Sequence, residues 1–236
     1  MRSTFLVFPI VLLVKSSLWA VDFYDLGPNV RPNFISTNGS VVIGSMGRFN
    51  PHLNPTNFPQ AFRWTSSGGI SNLEFLPGDS YSVASGISAD GLTVVGSSVF
   101  YSPNPRERSG KAVRWIQGGG VASYFLEADG RSSAAGLSAG GDVIVGTHNS
   151  RAFRYNGGLL DLGLLPGGGY SSGVAVSANG ETVLGNGDTH DLENDSGGDR
   201  AFLWKQNTGI IMLGLPDGTQ YFYGSNLSGD GNVVIG

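Results

Sequence analysis

One sequence pattern occurs four times along this chain of 236 residues, and a partial copy precedes these four copies. Each copy begins with an Ala-aromatic segment, continues through a Gly-rich turn into a short apolar segment, and then reaches a second loop. It closes with a Ser-x-Asp/Asn-Gly turn that leads into Val-Val-Gly or a close variant. Because a repeat of this length is one supersecondary unit, the repetition predicts the architecture before any single residue predicts chemistry. The full copies span 61–96, 112–146, 152–185 and 201–236, and the partial copy spans 21–44.

Each full copy contains four predicted strands, called A, B, C and D in the order of the repeat. In strand A, Phe62 and Trp64 alternate with Ala61 and Arg63, which is the two-residue period of a pleated strand. Strand B is short and apolar, strand C is rich in small residues, and strand D is the Val-Val-Gly run. The partial copy carries a B-like, a C-like and a D-like segment, so it lacks strand A.

A tight turn is predicted between strands C and D, because Asp-Gly and Asn-Gly pairs tolerate the positive φ angles of a hairpin. The serine two residues before each pair is predicted to cap the turn backbone. A nucleophilic role is disfavoured, since no histidine accompanies each serine. The turn pairs are Asn38-Gly39, Asp90-Gly91, Gly140-Gly141, Asn179-Gly180 and Asp230-Gly231, and the serines are Ser36, Ser88, Ser138, Ser177 and Ser228.

Four antiparallel strands per repeat are typical of a β-propeller blade. We therefore predict an all-β fold, a β-propeller of about five four-stranded antiparallel blades with one blade incomplete. A β-solenoid is the main alternative, although its coils are usually shorter and lack hairpin turns at fixed places. Every other copy runs on into a new Ala-aromatic strand, whereas the last copy stops at Gly236. We expect a truncation there, or a larger parent polypeptide that supplies the missing strand and so protects the open edge.

Composition agrees with this fold and excludes several classes of function. Glycine is over-used, at 38 residues, and charged residues make up only 14% of the chain, which suits short strands and tight turns. The net charge of −4 provides no long-range attraction for nucleic acid or for an anionic membrane. The chain has no cysteine, which excludes disulfides and thiolate chemistry.

The first 20 residues have the pattern of a secretory signal peptide. Arg2 provides the positive start, Phe5–Val14 is a ten-residue apolar stretch, and 16–20 is a cleavage zone. Ten residues are too few to span a bilayer, which needs about twenty. We therefore predict a mature chain of residues 21–236 without a membrane span, located in the periplasm, at the cell surface or in the medium.

The motifs Ala-Phe-x-Trp, Leu-Gly-x-Leu-Pro-Gly-Gly and Ser-x-Asp-Gly-x-x-Val-Val-Gly together resemble those of the HAF-repeat family of bacterial extracellular proteins. The resemblance covers 61–236 and, more weakly, 21–44, and its best copy is 152–185. It implies an exported repeat protein, in some cases the passenger of a surface-display system, and it brings no established activity or catalytic residue. The histidine that gives the family its name is replaced here by Gln60, Lys111, Arg151 and Arg200.

Length varies between copies mainly in the connection from strand D to the next strand A. These connections span 45–60, 97–111, 147–151 and 186–200. Insertions at one point of every repeat map to one face of the assembly, which is the natural binding surface.

Two of these connections carry the candidate binding residues. One is basic and suits an anionic glycan or an acidic neighbour, and the other is acidic. In the acidic loop, alternating carboxylates suggest a calcium site, although the spacing is not that of an EF-hand and a solvated loop is the simpler interpretation. The basic residues are Arg106, Arg108 and Lys111, the acidic residues are Asp188, Asp191, Glu193 and Asp195, and the calcium candidates are Asp191, Glu193 and Asp195.

Three functional hypotheses remain. The favoured one is a non-catalytic extracellular binding module that engages a glycan, a host protein or matrix through the D-to-A connections. The second is a propeller-type polysaccharide hydrolase that uses carboxylates on or beside strand B, namely Asp22, Asp25 and Asp161. The third is a structural array without a ligand. No catalytic residue and no cofactor other than calcium is predicted.

Overall fold

The structure, a computed structural model, describes residues 22–47, 58–122, 130–189 and 198–236. These residues form four antiparallel sheets of four strands and one sheet of two strands. Within each sheet, the strands lie side by side in sequence order, and each sheet is one blade. The prediction of an all-β propeller with four-stranded antiparallel blades, one of five being incomplete, is confirmed.

The strand bounds are as follows. Blade 1 contains β1 (Val30–Ile35), β2 (Val41–Met46), β3 (Gln60–Thr65) and β4 (Gly69–Asn72). Blade 2 contains β5 (Tyr81–Ile87), β6 (Thr93–Phe100), β7 (Ser109–Ile116) and β8 (Val121–Ala122). Blade 3 contains β9 (Ser132–Leu137), β10 (Ile144–His148), β11 (Arg151–Tyr155) and β12 (Leu159–Gly163). Blade 4 contains β13 (Ser171–Val176), β14 (Thr182–Thr189), β15 (Gly198–Lys205) and β16 (Gly209–Met212). Blade 5 contains β17 (Asn226–Leu227) and β18 (Val234–Ile235).

A one-turn 3-10 helix, Pro105–Glu107, lies between β6 and β7. Across the described ranges, no helix combines the length and the apolar character needed to cross a membrane.

The blades and the sequence repeats are out of phase. Strands C and D of one repeat pair with strands A and B of the next, because strands D and A form a continuous hairpin below the variable connection. The β6–β7 and β14–β15 ladders each pair eight residues on both sides. The partial first copy therefore helps to complete blade 1, and the incomplete blade is blade 5. The B-like segment 23–26 is not a strand, and the Phe23 side chain is exposed.

The first strands of all five blades line one central channel of about 330 Å³. Small residues such as Ser85, Gly86, Ala135 and Gly136 face this channel, which lets neighbouring backbones approach closely. The blades therefore share a common axis, as the repeat pattern predicts.

The spaces between blades are filled by the large residues of strand A. Phe62, Phe153 and Phe202 are fully buried, and each ring packs over a glycine of the preceding strand in its own blade. In blade 2 the corresponding glycine is Gly96, where a Cβ atom would lie 1.9 Å from the carbonyl oxygen of Val83. The Val-Val-Gly motif thus ends in glycine because no side chain fits between these strands.

Candidate functional site

The propeller has two ends that differ in construction. At one end, here called the turn face, lie the five Ser-x-Asp/Asn-Gly turns. Backbone hydrogen bonds join them in sequence: Ala89 N donates to Ala139 O (3.0 Å), Ala139 N to Ala178 O (3.0 Å), and Ala178 N to Gly229 O (2.8 Å). The opposite end, here called the loop face, carries the variable connections between the second and third strands of each blade.

Each turn on the turn face is closed by its serine, as the sequence predicts. In blade 2, Ser88 Oγ accepts from Thr93 N (3.0 Å) and donates to Asp90 Oδ1 (2.6 Å). That bond from Ser88, followed by one from Leu92 N, lowers the pKa of the Asp90 carboxyl. The same serine-to-backbone bond recurs in the other four turns, at Val41, Val143, Thr182 and Val233. These serines therefore have structural partners, which confirms the capping interpretation.

The degenerate Gly140-Gly141 turn has no Asp or Asn at the usual position, and Asp142 replaces it. Ser138 Oγ donates to Asp142 Oδ1 at 2.7 Å, and this bond is the main cause of the lowered pKa of Asp142. The turn keeps a carboxylate partner even though its sequence signature is lost.

On the loop face, the basic connection between β6 and β7 is closed on itself. Glu107 accepts from Ser102 Oγ (2.7 Å) and Asn104 Nδ2 (2.8 Å), and these bonds lower the pKa of its carboxyl. Arg108 Nε donates to Ser102 O (2.8 Å), and the guanidinium lies 4.6 Å from the centre of the Tyr101 ring. Arg108, a predicted binding residue, is thus used to hold its own loop.

The other two predicted basic residues are both exposed, but only Arg106 lies on this connection, in the 3-10 helix, whereas Lys111 lies within strand β7 opposite Ser98. The carbonyl oxygen of Arg106 accepts from Arg131 Nη2 of blade 3 at 3.5 Å. The connection is therefore also attached to blade 3, and it presents the Arg106 cation on a loop fixed by hydrogen bonds, with Lys111 on the adjoining strand.

The acidic connection between β14 and β15 lies partly outside the described residues. Asp188, at its start, accepts from Gly169 N (3.0 Å) and Tyr170 N (2.6 Å). Asp191, Glu193 and Asp195 lie outside the described ranges, so calcium binding there stays a prediction. Within the described ranges, no group of three or more metal-ligating side chains is found.

Beside this connection the loop face exposes a group of tyrosines that the sequence analysis did not single out. Tyr170, Tyr221 and Tyr223, here called the tyrosine patch, are 42%, 64% and 48% exposed. The Tyr221 and Tyr223 ring centres lie 6.1 Å apart, with their planes tilted by 58°. Tyr170 lies in the neighbourhood, since its phenolate form would contribute to the raised pKa of Tyr223. Two neighbouring tyrosine rings, with a third close by, therefore lie at the junction of blades 4 and 5.

Polar groups surround the patch, and one of them orients Tyr223. The Tyr223 hydroxyl donates to Asp199 Oδ2, and this bond is the main cause of its raised pKa. Arg200 Nη1 donates to Gln220 O at 2.6 Å. Asp199, Gln220, Tyr221 and Tyr223 line a shallow pocket of about 350 Å³. The pocket combines aromatic faces with a carboxylate and an amide, the groups that hold a small polar ligand.

A second aromatic cluster on the loop face, between blades 1 and 2, is more enclosed. Phe58 stacks on Tyr81 with ring centres 5.5 Å apart and contacts Tyr101 at 5.1 Å. Burial is the main cause of the raised pKa of Tyr81. This cluster packs two blades together, whereas the tyrosine patch is open to solvent.

The carboxylates of the hydrolase hypothesis lie away from the channel. Asp161 is on the outermost strand of blade 3, where it forms a 2.5 Å ion pair with Arg151 and accepts from Gly163 N. Asp25 accepts from Gly27 N in the same way, and Asp22 precedes it on a segment outside the sheets. Of the described residues, those lining the channel include no carboxylate.

Sequence reasoning missed the tyrosine patch although two of its members occupy equivalent positions, since Tyr170 and Tyr221 each lie seven residues before the turn serine, Ser177 or Ser228. Tyr170 precedes the first strand of blade 4, while Tyr221 and Tyr223 precede that of blade 5. The available signal was this recurring tyrosine, which also occurs in blade 2 as Tyr81, whereas blade 3 carries Arg131 at the same position.

No protein-family model and no curated protein sequence matches the chain. Solved structures do resemble it. Dipeptidyl peptidase 4 of Porphyromonas gingivalis matches 89% of this chain over 36% of its own, with 9% identity and a TM-score of 0.54. A prolyl endopeptidase matches 80% of this chain over 29% of its own, with 11% identity and a TM-score of 0.51.

The TolB protein of Agrobacterium tumefaciens, described as putative in its own structural report, is also similar: 16% identity, 76% of this chain, 63% of its own length and a TM-score of 0.49. The chain thus spans less than two thirds of each of these proteins. At such identities, the two peptidase structures support the β-propeller fold alone, and the weaker similarity to TolB supports no further statement.

Proposed function

We propose that this chain is an exported, non-catalytic binding module of the cell envelope that engages an extracellular glycan or protein through its loop face. The exposed tyrosine patch beside the acidic connection is the observation that carries the proposal. Tyrosines that are solvent-exposed and yet oriented by hydrogen bonds are typical of binding surfaces, because they offer a large contact area with little conformational freedom to lose.

A glycan is the ligand that this chemistry suits best. The C–H bonds on the faces of a sugar ring pack against the electron-rich face of an aromatic ring, while sugar hydroxyls need donors and acceptors at the rim. The patch provides both, with Tyr221 as the most exposed ring and with Asp199 and Gln220 beside it. In blade 2, the exposed Arg106 of the connection and the exposed Lys111 of β7 extend the binding face toward anionic groups.

The non-catalytic part of the proposal rests on how the reactive side chains are used. The turn serines donate to carboxylate or amide oxygens and accept backbone N–H groups, and Asp161 is ion-paired on an outer strand. The described channel lining consists of small, apolar and amide side chains. Hydrolysis of a glycosidic bond needs two facing carboxyl groups about 5 to 10 Å apart, and this lining supplies neither.

Export is proposed from residues 1–20, which have the pattern of a signal peptide, and from the resemblance to HAF repeats. We further propose that a larger parent polypeptide supplies an Ala-aromatic strand to blade 5. The second strands of blades 1 to 4 all pair with such a strand. We also propose calcium as a cofactor of the neighbouring connection, with Asp191, Glu193 and Asp195 as its ligands.

The test is a glycan array followed by calorimetry with the chain and its Tyr221→Ala/Tyr223→Ala variant. We expect the double variant to lose about tenfold or more in affinity for the glycans that the parent binds, since each aromatic contact contributes about 1 kcal/mol. The matched control is Tyr24→Ala, an exposed tyrosine of blade 1 that contacts Trp64 at 4.7 Å, far from the patch along the chain.

Equal loss in the control, or unchanged binding by the double variant, would contradict the proposal. Arg106→Ala/Lys111→Ala, at two exposed positions, tests the basic residues separately and should weaken only anionic glycans. Turnover of a polysaccharide panel that disappears in Asp161→Asn would instead support the hydrolase hypothesis.

A further inference from the structure

Asparagine followed by glycine occurs four times in this chain, and the structure describes all four pairs. An asparagine in such a pair is chemically labile, because glycine has no Cβ atom to hinder its backbone nitrogen from reaching the side-chain amide carbon. In a folded chain, the reaction also requires that the nitrogen and the amide are free to rotate toward each other. The pairs are Asn38-Gly39, Asn156-Gly157, Asn179-Gly180 and Asn186-Gly187.

Two of the pairs lie in the turns of the turn face, where the asparagine is the partner of the capping serine. Gly39 N donates to Ser36 O at 2.8 Å, and Asn38 Oδ1 accepts from Ser36 Oγ at 2.7 Å. The turn of Asn179 repeats both bonds, at 2.9 Å and 2.7 Å. In these two pairs, the glycine nitrogen and the amide are each held by a hydrogen bond that the reaction would have to break.

The pair in strand β14 is held by the neighbouring blade. Asn186 Nδ2 donates to Gly224 O at 3.0 Å, and Asn186 Oδ1 accepts from Gly224 N at 2.8 Å. Gly187 is buried and is paired with strands on both sides of β14. The amide of this pair is therefore fixed through both of its polar atoms.

The fourth pair, Asn156-Gly157, lies in the turn between β11 and β12, and both of its residues are exposed. Among the described residues, the Gly157 N–H has no backbone acceptor and the Asn156 side chain has no hydrogen-bond partner. Within the turn, Asn156 N donates to Gly158 O at 3.2 Å. Gly157 has a φ of +72°, and a Cβ atom built on it would meet nothing within 4 Å. The Gly157 nitrogen and the Asn156 amide can therefore approach each other without breaking a hydrogen bond of either group.

We propose that Asn156 is the principal site of deamidation in the folded chain, with water as the only other reactant. Hydroxide removes the Gly157 N–H proton, and the nitrogen forms a bond to Asn156 Cγ. The Cγ–Nδ2 bond then breaks, and the amide nitrogen leaves as ammonia after taking a proton from water, so that a five-membered succinimide remains. Water opens this ring at Cγ to give aspartate, or at the backbone carbonyl carbon of Asn156 to give isoaspartate.

The position of the turn indicates that the fold tolerates this change. β12 is the outermost strand of blade 3, and Leu159 and Leu160, which follow the turn, are 42% and 44% exposed. An extra backbone carbon in the turn therefore does not disturb the buried strands of the blade. We expect the modified protein to remain folded, with one additional negative charge on blade 3. The site is separate from the tyrosine patch, and it does not rest on the function proposed for the loop face.

The experiment is a time course of the folded chain at mildly alkaline pH, followed by proteolytic digestion and mass spectrometry of the peptides that contain the four pairs. Exchange of the amide for a carboxyl group raises the peptide mass, and the aspartate and isoaspartate products separate in chromatography. We expect Asn156 to react about tenfold faster or more than each of the other three asparagines, since only those three need a local opening of the structure first.

Two further measurements test whether the hydrogen bonds cause the difference. In unfolded chain, kept in urea, these bonds are absent, so the four rates should converge to within about threefold. Ser177→Ala removes the hydroxyl that holds Asn179 Oδ1, so Asn179 should react several-fold faster while Asn156 keeps the parent rate. Ser133→Ala, at an exposed strand position, is the matched control and should change neither rate.

The proposal is overturned if Asn156 is not the fastest of the four asparagines in the folded chain, or if its advantage persists unchanged in urea. It is also overturned if Asn179 reacts at the parent rate in Ser177→Ala. Loss of glycan binding in the tyrosine variants leaves this time course unchanged, so the deamidation site and the proposed function are tested independently.

Discussion

The turn face and the loop face of this propeller are made from the same strands, yet they follow different rules. On the turn face, five short turns use one hydrogen-bonding scheme and are joined blade to blade by backbone bonds. On the loop face, the connections differ in sequence and in contacts: one closes on itself through Glu107 and Arg108, and another is flanked by exposed tyrosines. The repeated residues therefore specify the frame, meaning the strands and the turns of the turn face. The differences between repeats specify the binding surface.

The largest loss of stability is expected at a glycine where the packed strands leave no room for a side chain. Gly96→Ala would place a Cβ atom 1.9 Å from Val83 O, which is backbone and cannot move aside. We expect a loss of about 3 kcal/mol or more in the free energy of unfolding, measured by urea denaturation. On the loop face, Gly169→Ala meets no atom closer than 4.0 Å and serves as the control. Similar stability of the two variants would show that the frame is no more constrained than the loops.

The next effect separates packing between blades from the geometry of a turn. Gly180 and Gly39 have similar positive φ angles, +77° and +70°, but a Cβ at Gly180 would lie 2.5 Å from Val143 of the preceding blade, whereas Gly39 meets nothing within 4 Å. Both alanine variants should lose about 1 to 2 kcal/mol from backbone strain. Gly180→Ala should lose about 1 kcal/mol more from the clash. If the two variants have equal midpoints of thermal unfolding, the close approach of Gly180 to Val143 does not affect stability.

A smaller loss is expected from the serine caps. Ser177→Ala removes the acceptor for the buried Thr182 N–H, which lies 3.0 Å from Ser177 Oγ. We expect a destabilisation of about 1 to 2 kcal/mol, the usual consequence of a buried donor without a partner. Ser133→Ala, at an exposed strand position, should leave the unfolding midpoint within error. If both variants behave alike, the caps do not stabilise the turn face.

The smallest effect is a pH dependence. Hydrogen bonds from serine hydroxyls are the main cause of the lowered pKa values of Asp90 and Asp230, whose ordinary value is 3.8. A carboxyl with a lowered folded-state pKa stabilises the fold above that ordinary value, and the contribution is lost as the pH falls through the folded-state pKa. Asn stands at the same position in two other turns, at residues 38 and 179.

We therefore expect Asp90→Asn/Asp230→Asn to keep most of its stability at pH 7 and to lose less than the parent between about pH 4 and pH 2. Urea midpoints measured across this range check the prediction. Parallel curves for the parent and the double variant would contradict it.

The strands and the turns of the turn face can be predicted from the sequence, because each is specified by residues that are close together in the chain. A serine, an Asp or Asn and a glycine within four residues contain all the donors, acceptors and φ freedom that one turn needs, and the alternation in β3 requires no distant partner. The phase of the blades could not be predicted in the same way. A repeat has no intrinsic starting point, and pairing of β6 with β7 beneath a long connection places consecutive repeats in one sheet.

The tyrosine patch was less predictable because it is assembled from two blades. Tyr223 of blade 5 meets Asp199 of blade 4 only when the two blades pack, and the local sequence of neither blade contains that contact.

The bonds that join successive turns all run in one direction, each turn donating to the one after it. These bonds have a direction, but they do not depend on side chains, because every junction uses the same backbone N–H and C=O groups. A duplicated copy inserted between two existing blades would meet the acceptor and the donor it requires, without any compensating substitution. The number of blades in proteins of this type can therefore change by recombination, limited by how many inner strands fit around the central opening and not by the chemistry of joining them.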